Sequence, residues 1–148
     1  MGLVLFDTNI FIDMLNGIPE ATIELGQYAD PAISFITYVE LACGVFVKPH
    51  HKAGLDNLLP NLTLIHMDEH IMHETVQVRG NSLINKPKIP LTDAIIQATA
   101  NVYMLTVITR NAKHVARARL KPHVPYDYDS GSGRVSNVRA PWSPTQAI

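Results

Sequence analysis

Three acids sit where the chain leaves an apolar run or enters an amphipathic one: Asp7 after Leu3-Val4-Leu5-Phe6, Glu40 three residues after Thr37, and Asp93 after Leu91-Thr92. Carboxylates brought together repel one another and need a cation to stay ionised. No Cys or His shares these motifs, so the ligands on offer are oxygens, which favour Mg²⁺ or Mn²⁺ over Zn²⁺. Such a site suits phosphoryl chemistry, in which the metal polarises a phosphate oxygen, activates water and neutralises the leaving oxygen. Two of the acids also have a local explanation. Thr37-x-x-Glu40 reads as a capping box in which Glu40 satisfies the backbone N–H of Thr37, and Asp93 reads as a first-turn acid favoured by the helix dipole. Asp7 must sit at the mouth of a sheet, and every local explanation would have to hold at once for the site to vanish.

The elements that must position these acids alternate between strand and helix. Gly2 to Phe6 reads as a strand, Asn9 to Asn16 as a helix stopped by Gly17, and Pro19 opens a second helix through Tyr28. Ala32 to Ile36 is a buried strand, followed by a helix from Tyr38 to Val47. Helical periodicity resumes over His51 to Leu59, Leu62 to Met67 is a strand, and Asp68 caps a helix through about Val78. After a loop from Asn81 to Pro90, Thr92 caps a helix over Asp93 to Asn101. Met104 to Ile108 is a further strand, and an apolar stretch near Val124 pairs at the edge. Short apolar strands alternating with helices predict an α/β fold with a mostly parallel central sheet flanked by helices on both faces. Ligand sites in such sheets lie outside the carboxyl ends of the strands, where the three acids fall.

The chain has 148 residues, 47% hydrophobic and 17% charged, which predicts one packed domain and excludes wholesale disorder. A lone Cys43 and the absence of an export signal or an apolar span point to the cytoplasm and to no membrane. The domain is expected over residues 1–128, with 129–148 a flexible or loosely docked tail anchored by Trp142. Charge is uneven: residues 1–78 carry ten acids and two bases, whereas 79–121 carry eight bases and Asp93. That asymmetry points either to an anionic ligand such as nucleic acid or to neutralisation between the two halves.

Four segments resemble the ordered motifs of PIN-domain ribonucleases, especially the VapC-type toxins of bacterial type II toxin–antitoxin pairs: Phe6-Asp7-Thr8-Asn9-Ile10, Ile36-Thr37-Tyr38-Val39-Glu40-Leu41, Pro90-Leu91-Thr92-Asp93-Ala94 with Ala98, and Ile108-Thr109-Arg110-Asn111. The likeness spans roughly residues 3–128. It implies a single PIN-like domain, Mg²⁺- or Mn²⁺-dependent endonucleolytic cleavage of RNA such as tRNA, inhibition by a cognate antitoxin, and a homodimer. By the same resemblance Asp7, Glu40 and Asp93 hold metal and, with Asn111, form the catalytic set, while Thr109 and Asn9 support it. The family usually follows the last strand with an acid, or with an Asn and an acid three residues on; here Asn111 is present and His114 stands in the later place. One strong metal site is therefore expected, with a second that fills only with substrate phosphate.

Arg110, Lys113, Arg117, Arg119 and Lys121 follow the site strand, where RNA phosphates would need cations, and Lys113 and Arg117 share a face if the segment is helical. The apolar stretches Leu41 to Phe46 and Leu55 to Leu59 offer a groove for a partner helix, or simply core. His66, His70 and His73 read as strand and exposed helix face, not as a zinc site. A haloacid-dehalogenase-type phosphatase is disfavoured by Asn9 and a phospho-receiver by Thr109. The remaining alternative is a PIN-like RNA- or protein-binding module with little cleavage.

Overall fold

A computed structural model describes residues 3–144. Its sheet contains β1 (Val4–Phe6), β2 (Pro31–Ser34), β3 (Thr63–Ile65) and β4 (Thr106–Ile108) in the order β3-β2-β1-β4, all parallel. The helices are α1 (Thr8–Leu15), α2 (Pro19–Gly26), α3 (Phe35–Val47), α4 (Lys52–Leu58), α5 (Glu69–Ile84) and α6 (Leu91–Tyr103). Strand alternation sends Val4 and Phe6 into one core with Ile10, Phe11, Tyr28 and Leu41. Leu5, Ala32 and Val107 point into the other core, against Ile96 and Ala100 of α6. The expected α/β architecture, a parallel sheet buried on both faces, is what the chain adopts.

Several boundaries differ from expectation for local reasons. Residues 35 and 36 belong to α3, because Ser34 ends β2 and caps the helix, its hydroxyl oxygen accepting the Thr37 N–H at 3.2 Å. Thr92 is not a cap: α6 starts at Leu91 after Pro90, which places Asp93 inside its first turn. Met104 takes a left-handed conformation (φ 52°) that closes α6, so β4 begins only at Thr106. Helix α5 is also longer than predicted, running to Ile84, and leaves a loop of residues 85–90.

Val4 and Leu5 pair with Pro31 and Ala32 on one side of β1, and Phe6 pairs with Ile108 on the other. Level strand ends set Asp7 beside Thr109, with the Asp7 N–H donated to the Ile108 carbonyl at 2.9 Å. The outer side of β4 is closed by His123, which bridges Ile108 in parallel. Its N–H is donated to Val107 and its carbonyl accepts from Thr109. This is the edge pairing expected near Val124.

Residue 129, where the expected tail begins, lies in an antiparallel hairpin of β5 (Asp127–Asp129) and β6 (Arg134–Ser136). Asp129 accepts from the Gly131 N–H and the Ser132 hydroxyl, and Gly133 turns the chain at φ 69°. The Ser and Gly that read as linker composition are the turn of this hairpin. Trp142 is 8% exposed and packs in the Val4–Phe6 core, its backbone N–H donated to the Tyr28 hydroxyl at 2.8 Å. Residues 145–148 of the expected tail lie outside the described residues.

Tyr28 in turn donates to Glu24 at 2.6 Å, and His123 Nε2 stands 3.5 Å from the same carboxylate oxygen, too long for a hydrogen bond. Burial and then Arg139 hold the His123 pKa below its ordinary 6.5. A histidine kept neutral by the fold contributes stability that is present above 6.5 and lost as pH falls toward the lowered folded value. The native chain is therefore expected to lose more stability than His123→Gln between pH 7 and pH 5. Urea unfolding at stepped pH checks this, and parallel losses would remove His123 as the cause.

Candidate active site

Asp7 ends β1 and is the N-cap of α1, accepting the Thr8 N–H at 2.7 Å through Oδ1. Its Oδ2 accepts the Thr109 hydroxyl at 2.6 Å and the Asn9 amide at 3.1 Å. Asn9 Nδ2 also reaches Thr109 Oγ1, and Asn9 Oδ1 accepts the Arg110 N–H, so one side chain ties the end of β1 to the segment after β4. Asp7 is only 7% exposed, and burial raises its pKa despite the Thr109 and Thr8 hydrogen bonds, with repulsion from Asp93 adding to the rise. Both residues expected to support Asp7 touch it.

Glu40 projects from α3 and accepts the Thr8 hydroxyl at 2.8 Å. It does not close a capping box, since Ser34 holds that cap. The hydroxyls instead line up: Ser34 donates to Thr37 at 3.3 Å, Thr37 Oγ1 lies 3.0 Å from Thr8 Oγ1, and Thr8 ends on Glu40. Each hydroxyl has one proton, so donation in this order directs every O–H along the chain toward the carboxylate. Burial raises the Glu40 pKa most, opposed by Thr8, and the charges of Asp7 and Asp93 raise it further. Thr37→Val, which leaves Ser34 and Thr8 one partner short, is expected to cost about 1–3 kcal/mol. Chemical denaturation measures this, and an unchanged midpoint would show that the hydroxyl chain carries no stability.

Asp93, in the first turn of α6, accepts from His114 Nδ1 at 2.7 Å. Burial raises its pKa and His114 opposes that rise. A hydrogen on Nδ1 donated to Asp93 leaves that nitrogen no lone pair for the Asn111 amide group 2.9 Å away. With Nδ1 donating to Asp93, Nε2 of the neutral ring keeps its lone pair and can accept from the Asn111 amide 3.3 Å away. Asn111 thus faces His114, on a 3₁₀ turn over Ala112–Val115.

The donor set is made of oxygens from β1, α3 and α6, and Glu40 senses the charge of both other acids. Among the described residues no three His, Cys, Asp or Glu side chains converge as a ready-made cage. Repelling, desolvated carboxylates without closed coordination fit a hard cation that keeps waters and takes further oxygens from a substrate, the habit of Mg²⁺. His66, His70 and His73 form no such group either.

The basic stretch is mostly committed to the protein. Arg110 donates from Nη2 to the buried Asp13 at 3.0 Å, with Nε 2.6 Å from the other carboxylate oxygen but off hydrogen-bond alignment, and stacks over Tyr128 at 4.8 Å. Arg117 donates to the carbonyls of Asn85 and Lys86, and Arg119 pairs with Glu74 at 3.2 Å. The 3₁₀ turn is too short to give Lys113 and Arg117 a shared helical face. Neutralisation between the two halves therefore accounts for Arg110 and Arg119, and among the described residues Lys113 and Lys121 have no charged partner. Thr8, Thr37 and the Asp13–Arg110 pair were not legible as site elements. Thr8 could have been, as the hydroxyl directly after Asp7.

A family model described as PIN domain matches residues 4–120. A toxin–antitoxin complex from Klebsiella pneumoniae is 34% identical, with a TM-score of 0.71 over 84% of this chain and 98% of that chain. FitAcB from Neisseria gonorrhoeae is 25% identical with a TM-score of 0.72, over 82% of this chain and 97% of its own. A member of the VapBC family of toxin–antitoxin systems from Mycobacterium tuberculosis, at 21% identity and TM-score 0.60 over 78% and 90%, shares the fold. No curated protein matches the sequence. With a matched model covering every element of the sheet and all three acids, the chain belongs to the PIN domain family.

Proposed function

We propose that the protein is a VapC-type toxin: a Mg²⁺- or Mn²⁺-dependent endoribonuclease that cuts RNA, structured RNA such as tRNA in particular, and is silenced by a cognate antitoxin. What supports this reading is that Asp7, Glu40 and Asp93 stand at the carboxyl end of the sheet, near enough for Glu40 to feel the charges of Asp7 and Asp93 and for Asp7 to feel that of Asp93. The 34% identical toxin–antitoxin complex supports the antitoxin.

Asp7, Glu40 and Asp93 would hold the ion. When bound, it supplies polarisation of the scissile phosphate and a more acidic water. Thr109 and Asn9 fix Oδ2 of Asp7, so this ligand needs no reorganisation on binding. The hydroxyl chain through Thr8 does the same for Glu40. His114 contacts both Asp93 and Asn111, so on this reading Asn111 would act through His114.

Helix α3 leaves Phe46 and Val47 90% and 82% exposed, a surface for an antitoxin helix. Leu41, Leu55 and Leu58, expected in that groove, are buried in the core. Met72, Val76 and Leu83 share an exposed face of α5 suited to a second copy in a homodimer. Among the described residues no helix is long and apolar enough to cross a membrane. The proposal places the toxin in the cytoplasm, where its RNA is.

The test is incubation with total cellular RNA in Mg²⁺, Mn²⁺ or EDTA, beside Asp93→Asn. Discrete, metal-dependent fragments lost in the variant are expected. Intact RNA with binding retained would favour a non-cutting module, the second reading that the His114–Asp93 contact supports.

A further inference from the structure

Outside the acidic centre lies a cavity of about 930 Å³, at the upper end of the roughly 300–1,000 Å³ of ligand sites. None of the three carboxylates lines it. Its cations are Arg110, Lys113, Lys121 and Arg139, its acid is Asp127, and one wall is Trp142. Arg139 is paired with Asp127 and Arg110 with Asp13, which leaves Lys113 and Lys121 as the lining cations with no charged partner among the described residues. The indole N–H of Trp142, 92% buried with the rest of its residue, finds no acceptor among the described residues. A buried donor in that condition points to a partner from outside.

The cavity shares a wall with the site. In a 3₁₀ turn, residues three apart eclipse. Asn111 and His114 form one ridge, facing Asp93, while Lys113 and Ala116 form the next, lining the cavity. One turn thus separates a cluster of acids from a cationic basin. Lys121, His123, Arg139 and Trp142 lie beyond the residues 4–120 matched by the family model, so much of the basin is built by this chain's C-terminal segment.

We infer that this basin binds a nucleotide of the RNA strand flanking the scissile phosphate, with phosphate on Lys113 and Lys121 and the base against the Trp142 wall. The inference rests on the ribonuclease reading. RNA is favoured over an acidic peptide because a phosphate chain entering the acidic centre must continue past the 111–116 turn, and because apolar wall and cations alternate as they do in single-strand sites.

The experiment uses the full chain and a fluorescein-labelled single-stranded RNA decamer carrying 4-thiouridine. Binding is read by anisotropy in EDTA and contacts by photocrosslinking with peptide mapping. Lys113→Ala with Lys121→Ala is expected to weaken binding about tenfold and to flatten the slope of log affinity against log salt by about 0.7 per lysine. Ala116→Trp, at an exposed position, fills the basin without changing charge and is expected to weaken binding with the slope unchanged. Lys48→Ala, on a remote surface, is the control. Crosslinks in the native chain are expected within residues 110–144. Unchanged affinity in both pocket variants, or crosslinks confined to residues 1–103, overturns the inference. Native protein that cuts RNA while the variants bind as tightly refutes the basin alone, whereas native protein that neither binds nor cuts RNA refutes the ribonuclease reading with it. A variant defect seen only with an acidic antitoxin peptide, and not with RNA, also overturns it.

Discussion

Glu40→Gln is expected to raise the unfolding midpoint in EDTA while removing RNA cleavage. Glu40 is held above its ordinary carboxylate pKa by burial and by the charges of Asp7 and Asp93, so folding works against its charged form. Glutamine keeps an oxygen for the Thr8 hydroxyl and removes the repelled charge. The same change takes away one of the three oxygens' worth of negative charge that would hold the ion. Native protein with metal a hundredfold above Kd gains about 2.7 kcal/mol of stability, and the variant is expected to lose most of that gain. Cleavage should fall by at least about 10²-fold, the scale on which loss of one preorganised electrostatic group is felt. Thermal unfolding with Mg²⁺ and with EDTA, beside a gel assay, separates the two effects. A lower midpoint in EDTA with cleavage retained would remove Glu40 from the site.

Asp13→Ala is expected to destabilise the fold by about 3–5 kcal/mol. Asp13 is 2% exposed and pairs with Arg110 through both carboxylate oxygens, and Oδ2 also accepts the Tyr126 hydroxyl at 2.7 Å. Truncation leaves a partly buried guanidinium without its counterion and a fully buried phenol without its acceptor. Tyr126→Phe removes only one hydrogen bond and is expected to cost about 0.5–1.5 kcal/mol. The double variant should cost less than the sum, because the two changes share Asp13. Urea denaturation of the set measures the coupling, and additive losses would show the Tyr126 bond to be idle. Because Arg110 serves this pair, weakened RNA binding in Arg110→Ala would report a distorted 109–111 segment as much as a lost phosphate contact.

The parallel sheet and the strand-end position of Asp7 were legible because apolar runs and their flanking polar residues follow from backbone periodicity, whereas the support that Asn9 and Thr109 give Asp7 was legible only through the family resemblance. Glu40 was legible only in part. Thr37-x-x-Glu40 fits a capping box by spacing, and nothing local says that Ser34 takes the cap first. The fate of the basic stretch was not legible, since the partners of Arg110, Arg117 and Arg119 lie 31 to 97 residues away in sequence. The hairpin after Asp127 was hidden by composition, its three-residue strands being shorter than any alternation can reveal.

The His123 bridge beside β4 has a consequence for assembly. A parallel sheet with bare flanks invites strand addition from another chain, the usual first step toward ordered aggregation. On the β4 flank the bridge already uses the Val107 carbonyl and the Thr109 N–H, and Pro122 and Pro125 border it, so an incoming strand meets spent groups and prolines. Recruitment is left to Thr63–Ile65 on the opposite flank, three residues long and preceded by Pro60, too short a template to propagate a fibril.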